Sequence, residues 1–206
     1  MSYKFALEPY IKHPETNPVL YYDDDFVVIN DAYPKGAVHY LVLPRDEELT
    51  KRHPLEAFND EQLDLYSKIK PVIDKTIEQA AKKLAEIKGR AKDDGYYQQY
   101  IKVGVHSKPS LVNLHVHVIS RDMYSDRMKR PNHYTSFNTR FFVPFDSFAP
   151  SEEPFHPLGY LNGDKFDKDM DQLVRRSDLV CWKCNRNFKR SFSLLKKHLE
   201  EEFKAL

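Results

Sequence analysis

Alternating apolar and polar positions predict most of the strands in this chain. Residues 20–45 contain two apolar segments, LYYDDDFVVIN and AVHYLVLPR, which the turn-forming sequence DAYPKG separates. The segments YIKVGVH (100–106) and NLHVHVIS (113–120) alternate and are rich in β-branched residues. The apolar segment RFFVPF (140–145) predicts one further short strand.

Helical periodicity appears in other parts of the chain. Between residues 60 and 88, apolar side chains recur mostly at steps of three, four and seven, and Pro71 inside this run predicts a kink or two helices. Residues 165–178 and the segment from about Phe192 to Lys204 are also predicted to be helical. Residues 148–164 contain three prolines and two glycines, which is typical of a linker. We therefore expect one domain over residues 1–147, a linker over 148–164 and a second domain over 165–206.

Composition excludes several classes of protein. Of 206 residues, 41% are hydrophobic, which is enough for a packed core and too much for a fully disordered chain. No apolar run approaches the ~18–20 residues that span a bilayer. The N-terminal sequence MSYKFALEPY also lacks the continuous apolar region of a signal peptide. We therefore expect neither a transmembrane protein nor a membrane partner.

Charge is distributed unevenly along the chain. The formal net charge is +1, but residues 175–206 contain nine Lys or Arg and four Asp or Glu, a local excess of +5 that leaves −4 for the rest. A basic C-terminal end on a nearly neutral chain favours a polyanionic partner. The two cysteines, Cys181 and Cys184, are too few for a secreted disulfide scaffold, and their spacing indicates metal or redox chemistry.

The strand predicted at 113–120 carries an unusual row of polar groups. Alternation places Asn113, His115 and His117 on one face, opposite the apolar residues between them. By spacing alone, this row fits an incidental polar face, a metal site or a catalytic site about equally. His106 and Ser110 lie just upstream, so three imidazoles and a hydroxyl could converge on one anion. Imidazoles can attack phosphorus and donate protons to phosphate, which favours catalysis.

Four sequence blocks resemble one family. The stretch G-x-H-x-x-P-S-x-x-N-L-H-x-H-x-I-S (104–120) resembles the histidine-triad (HIT) motif in the form found in fungal aprataxins. The pattern D-x-x-P-K…H-x-L-x-L-P (31–44) resembles the nucleotide-binding strand pair of the same family. KRPNHYTSFNTRFF (129–142) resembles the segment that follows the triad in aprataxins, and residues 181–203 resemble their C-terminal zinc finger.

This resemblance implies a fold, a reaction and a set of catalytic residues. The fold would be α+β, a HIT domain with an antiparallel sheet and packed helices, followed by a small zinc finger. Aprataxins remove AMP from 5′-adenylated DNA or RNA–DNA ends left by abortive ligation, through a covalent His–AMP intermediate. The resemblance makes His115 the nucleophile and His117 its support beside the phosphate. It also implies that His106 assists the leaving group and that Ser110 contacts the phosphate.

Further positions match the nucleotide-binding residues of the family. Asp31 would bind the ribose and Lys35 would lie near the phosphates, although Asp31 before Tyr-Pro is also typical of a simple turn cap. Asn113 occupies the position of the first triad histidine, where an amide can form hydrogen bonds but cannot titrate. His106 is a candidate to supply the missing imidazole. His39 lies in a predicted strand and can be a core histidine whose hydrogen bonds are satisfied within the protein.

DNA contacts are implied after the triad and at the N-terminus. Lys129, His133 and Ser136 match residues that contact DNA ends, although Lys129 can also be a plain solvated charge. Aromatic residues near the N-terminus are candidates to stack on the exposed end of a duplex; they are Tyr3, Phe5 and Tyr10.

The C-terminal cysteines are followed by residues that complete a metal site. His198 and Glu202 are four residues apart and share one face of the predicted helix. Cysteine, histidine and carboxylate all bind zinc, so Cys181, Cys184, His198 and Glu202 form a chemically sound structural zinc site. A redox CxxC is the alternative, which the downstream spacing disfavours.

Basic residues surround this predicted finger. They fit either a solvated helix face or contacts with DNA phosphates, which position a duplex without reading its sequence. The candidates are Arg186, Lys189, Arg190, Lys196 and Lys197.

We therefore expect a DNA repair hydrolase whose product is AMP, with a nuclear location inferred from the family and a cytoplasmic pool left open. A general HIT hydrolase of small AMP conjugates and a non-catalytic nucleic-acid-binding module are the alternatives. The fused finger argues against the first, and the presence of both His115 and His117 argues against the second.

Overall fold

A six-stranded sheet forms the centre of the computed structural model, which describes residues 3–89, 94–150 and 164–206. The strand order is β1-β2-β3-β5-β4-β6, and each neighbouring pair is antiparallel. The strands are β1 (Tyr21–Tyr22), β2 (Phe26–Asn30), β3 (His39–Pro44), β4 (Ile101–His106), β5 (Val116–Ser120) and β6 (Phe142–Pro144). The expected α+β class with an antiparallel sheet is confirmed.

Helices precede, connect and follow the strands. They are α1 (Glu8–Lys12), α2 (Pro54–Asn59), α3 (Leu65–Ile87), α4 (Asp94–Gln98), α5 (Pro131–Asn138), α6 (Asp164–Arg176) and α7 (Phe192–Lys204). The run predicted to be helical from residue 60 forms one helix from Leu65, and it continues through Pro71. Because Pro71 lies in the second turn, most of the hydrogen bonds and the buried face of this helix lie beyond it.

Side-chain alternation divides β2 and β3 between two apolar clusters. Val28 and Val42 pack with the buried face of α3, whereas Val27 and Leu41 pack with Leu7 and neighbouring N-terminal residues. Both faces of the central strands are therefore buried. All five residues of β5 are buried, and the strand begins at Val116 rather than at residue 113 as the sequence predicted.

The C-terminal finger shares a third cluster with the sheet domain. Leu195 and Leu199 of α7 pack in one apolar group with Tyr134 and Phe137 of α5. The Tyr134 hydroxyl links the two parts directly, since it donates to the Val180 carbonyl at 2.8 Å and accepts from the Trp182 N–H at 3.1 Å.

Helix α6 packs with the sheet domain rather than with the finger alone. Phe166 and Met170 are buried in the cluster that contains α3. Thr135 donates its hydroxyl proton to the Val174 carbonyl at 2.7 Å. The sequence analysis placed α6 in the C-terminal domain, and the position of that domain boundary remains a prediction. Most of the predicted linker, residues 151–163, lies outside the described residues.

None of the helices in the described ranges is long and apolar enough to cross a bilayer.

Candidate active site and zinc finger

One large cavity brings together most of the predicted site residues. Its volume is about 860 Å³, and its walls come from the N-terminal segment, the β2–β3 turn, the β4–β5 connection and α5. The predicted residues that line it are Tyr3, Tyr10, Asp31, Lys35, His106, Ser110, His115, His117, Lys129, His133 and Ser136. Asn113 and Phe5 are not among its lining residues.

His115 lies directly before β5, at the floor of this cavity. Its Nδ1 is 2.7 Å from the backbone carbonyl oxygen of Asn113, so Nδ1 carries the proton and donates it. The other ring nitrogen, Nε2, is then left with its lone pair. Burial lowers the pKa of His115 below its usual value, so the ring is neutral at physiological pH. A neutral imidazole with a free Nε2 lone pair is the state that can act as a nucleophile.

A chain of hydrogen bonds fixes the tautomer of His117. The Lys35 backbone N–H donates to His39 Nδ1 at 3.3 Å, which favours the tautomer with the His39 proton on Nε2. His39 Nε2 lies 2.9 Å from His117 Nδ1, so the His117 proton lies on Nε2. In the part of the chain that is described, His117 Nε2 is buried and has no protein partner. His117 can therefore donate a hydrogen bond to an oxygen of a bound phosphate.

The carboxylate of Asp31 lies beside this chain. Its Oδ2 is 3.3 Å from His39 Nδ1, and its Oδ1 accepts the Tyr33 N–H at 2.7 Å. Asp31 thus caps a turn, as the simpler interpretation predicted, while it also lines the cavity. Donor atoms of Asp31, His39 and His117 all lie within 4.8 Å of one another, but hydrogen bonds within the group already engage the facing nitrogens of the two histidines.

Phe137 packs against the histidines. The centroid of its ring lies 4.7 Å from that of His106, 5.2 Å from that of His117 and 5.6 Å from that of His39. Burial holds the pKa of His106 and of His117 well below the usual value, and it lowers the pKa of His39 to about 4. The cluster is therefore uncharged, and it can surround an anion without bringing ionised imidazoles into the core.

Asn113 lies behind the cavity. Its side-chain amide donates to the Thr50 hydroxyl at 3.3 Å, and only 3% of the residue is exposed. What Asn113 supplies to the site is its backbone carbonyl, which any residue could supply. Its predicted role as a nucleotide-binding side chain remains a prediction, and Ser110 is exposed at the cavity.

Two anchors hold the β2–β3 turn against the end of β5. The carboxylate of Asp122 accepts the Ala37 N–H at 2.9 Å, and burial raises the pKa of Asp122 to about 6. A Cβ at Gly36 would lie 2.5 Å from the Ser120 carbonyl oxygen and 2.7 Å from its hydroxyl, so only glycine fits there. The turn that carries Asp31 and Lys35 is therefore rigid.

Three donor atoms converge in the predicted finger. Those of Cys181, Cys184 and His198 lie within 4.8 Å of one another, and Cys184 Sγ is 3.3 Å from His198 Nε2. This donor set suits zinc. Glu202 lies outside that group of three, with Oε1 at 3.7 Å from His198 Nε2 and Oε2 at 2.5 Å from Lys183 Nζ. Its predicted role as the fourth ligand remains a prediction.

Two family models match successive parts of the chain. The family described as "Scavenger mRNA decapping enzyme C-term binding" matches residues 4–133, and the family "C2HE / C2H2 / C2HC zinc-binding finger" matches residues 138–205. An aprataxin-like protein of Saccharomyces cerevisiae is 36% identical over 223 residues, which cover 100% of this chain and 98% of that protein. This chain belongs to the aprataxin family.

Solved aprataxin structures have the same fold. The aprataxin ortholog Hnt3 in complex with DNA matches with a TM-score of 0.84 and 32% identity, over 99% of this chain and 96% of that one. Hnt3 in complex with DNA and guanosine matches with a TM-score of 0.83 and 33% identity, over 99% and 97%. The expected aprataxin membership and the HIT-like fold are confirmed, and the chain carries a zinc-binding finger.

The basic residues predicted on the finger of this aprataxin-family chain lie at its surface. Arg186, Lys189, Arg190 and Lys197 are exposed, and Lys196 is half-buried. Arg190 donates to the Ser177 carbonyl at 3.2 Å. None of the five lines the cavity, so any contact they make with DNA would be outside the pocket.

Sequence reasoning did not assign a role to several aprataxin-family residues that line the cavity. The sequence pattern around His39 is also that of a core histidine, and no motif points to Tyr33, Lys108 or Arg127. Tyr33 is 63% exposed, and its ring lies 5.6 Å from the Arg127 guanidinium. The signal for His39 was available, because alternation along β3 places it on the face opposite Tyr40.

Replacing His39 tests the hydrogen-bond chain of this aprataxin-family site. We expect His39→Phe to reduce kcat/KM of the hydrolase reaction by about 10–100-fold, because His117 then loses its hydrogen-bond partner. His39→Gln can still donate a hydrogen bond and should retain more activity. Steady-state kinetics give kcat/KM, and thermal unfolding shows whether each variant is folded. Equal kcat/KM values for His39→Phe and the unaltered protein would contradict the role of His39 as the partner of His117.

Proposed function

We propose that this protein removes AMP from 5′-adenylated DNA or RNA–DNA ends, the products of abortive ligation, through a covalent histidine–AMP intermediate. The proposal rests on the state and position of His115. Its Nε2 carries a lone pair, and the residue lines a cavity that is large enough for a nucleotide. Family membership and the DNA complexes of Hnt3 support a polynucleotide substrate.

The chemistry requires one nucleophile and several hydrogen-bond donors. His115 Nε2 attacks the AMP phosphorus in line, the P–O bond to the DNA 5′-phosphate breaks, and that phosphate leaves with the bonding electron pair. Water then attacks the same phosphorus while the P–N bond breaks and its electron pair returns to His115 Nε2. The water gives up one proton to solvent, and AMP and neutral His115 are released. Because a phosphate is already a good leaving group, positioning and charge stabilisation account for most of the rate.

Each neighbouring group has a distinct task in this proposal. The Nε2–H of His117 stabilises a non-bridging oxygen of the reacting phosphate. His106, whose ring centroid lies 4.5 Å from that of His117, faces the leaving group and later the water. Ser110 contacts the phosphate, and Asp31 binds the ribose.

Positive charge around the opening fits the polynucleotide part of the substrate. Lys35, Arg127 and Lys129 line the cavity. His133 also lines the cavity, where its Nδ1 accepts the Lys129 backbone N–H at 3.2 Å, so its ring is held beside the predicted DNA contact Lys129. We assign zinc a structural role in the finger, whose exposed cations contact phosphates farther along the duplex. Action on DNA ends favours a nuclear location.

AMP release from a 5′-adenylated nicked duplex tests the proposal. A small AMP conjugate such as AMP-lysine runs in parallel. Fast release from the nick and slow release from the conjugate would support DNA-end repair. Equal kcat/KM values would favour a general HIT nucleotide hydrolase, and no release from either substrate would favour a non-catalytic nucleic-acid-binding module.

A further inference from the structure

Lys108 lies at the cavity without a part in the mechanism above. It stands between His106 and Ser110 on the β4–β5 connection, and its side chain is 30% exposed. Because Lys108 is only two residues from Ser110, the predicted phosphate contact, its ammonium group lies where the anionic substrate is expected to bind.

The charge of Lys108 is already paired with helix α6. Its Nζ lies 2.9 Å from Asp171 Oδ2 and 3.7 Å from Asp167 Oδ2, and it donates to the Asp167 carbonyl at 3.3 Å. Helix α6 itself is firmly seated, because Phe166 and Met170 are buried in the main core. The two carboxylates are therefore held in place beside Lys108.

These ion pairs are of a kind that a phosphate can displace. The Asp171 and Asp167 side chains are 48% and 57% exposed, and solvent-screened pairs of this kind contribute little to stability. A phosphate oxygen forms a short charge-assisted hydrogen bond with a lysine and brings a larger negative charge. Exchange of Asp171 for a substrate phosphate is therefore favourable, although the carboxylate left behind repels that phosphate.

We propose that Lys108 is a specificity-determining contact for substrates with phosphates beyond that of AMP, and that Asp171 of α6 competes with the substrate for it. This inference rests on the proposed function, because it concerns which adenylated molecules the site prefers. A 5′-adenylated polynucleotide offers Lys108 further phosphates, whereas a small AMP conjugate offers a single one. The competition therefore adds discrimination in favour of polynucleotides.

Two variants should change DNA affinity in opposite directions. Lys108→Met removes the cation and should raise KM for the adenylated nick about 3–10-fold, with a smaller rise for AMP-lysine. Asp171→Asn removes the competing charge and should lower KM for the nick about 2–3-fold. Asp169→Asn, on the same helix, is the matched control and should leave both constants unchanged.

Binding measured without turnover provides a second readout. Fluorescence anisotropy with a nicked duplex that carries a plain 5′-phosphate should show the same opposite shifts in Kd. The slope of log Kd against log salt concentration should fall by about one for Lys108→Met.

The outcomes separate the two proposals. Shifts in the same direction for both variants, or unchanged constants in both, would overturn the role of Lys108. Both Lys108→Met and Asp171→Asn remove the Lys108–Asp171 ion pair. If this pair only stabilised the fold, both variants would unfold at a lower temperature and bind DNA more weakly. If the unaltered protein released no AMP at all, the proposed function would fail, and the anisotropy measurement would still decide whether Lys108 binds phosphate.

Discussion

His115→Ala is expected to abolish AMP release from a 5′-adenylated nick, with a loss of at least about 10³-fold in kcat. The variant removes the only atom proposed to form a bond with phosphorus, so neighbouring groups have no intermediate to stabilise. DNA affinity should remain within about twofold, because the predicted DNA contacts are other residues, on and just before α5, near the N-terminus and on the finger. Single-turnover kinetics and fluorescence anisotropy measure the two quantities.

A direct view of the intermediate strengthens this test. Rapid quenching in alkali, where phosphoramidates persist, should reveal one AMP per chain by intact mass, and peptide mapping should place it on His115. His133→Ala is the matched control: it should raise KM while the adenylylated protein still forms. Adenylylation of His106, or undiminished turnover by His115→Ala, would contradict the proposed nucleophile.

Removal of zinc is expected to have the largest effect on stability. Binding of structural zinc contributes about 10–16 kcal/mol in isolated finger peptides at pH 7, and most of it is folding free energy. Leu195 and Leu199 of the finger pack in the same cluster as Phe137 of α5, so unfolding of the finger exposes part of the active-site wall. We expect a chelator or Cys181→Ala to lower the melting temperature by well over 10 °C, which circular dichroism measures.

Controls distinguish metal loss from general damage. Lys197→Met alters an exposed cation on α7 and should retain the full chelator response. With cobalt in place of zinc, Glu202→Gln should change the absorption spectrum if Glu202 is a ligand, whereas Lys183→Met should not. A chelator that leaves the melting temperature within about 2 °C would refute a structural metal.

The histidine strand shows what could and could not be read from the sequence. Alternation correctly placed His115 and His117 together, because a two-residue repeat fixes the side of a sheet. It could not show that Asn113 lies behind the cavity, because β5 begins only at Val116 and the preceding backbone is irregular. The hydrogen-bond chain through His39 also escaped prediction, because it joins strands 78 residues apart.

Helices α5 and α6 illustrate a second limit. The sequence 131–138 has weak amphipathic character, and α5 is stabilised by packing against the finger and the histidines, which local propensity does not reveal. The pattern of α6 did predict a helix. Its packing partner could not be predicted, because periodicity gives the apolar face of a helix but not the surface that covers it.

The bridge through Tyr134 has a consequence for recombination of modules. Zinc fingers are commonly exchanged as self-contained cassettes, but here a buried hydroxyl on α5 satisfies backbone groups on both sides of Cys181. A foreign finger grafted after residue 164 would leave that hydroxyl unmatched and the shared apolar surface open. A functional chimaera must therefore carry α5 along with the finger, and the unit of exchange is residues 131–206.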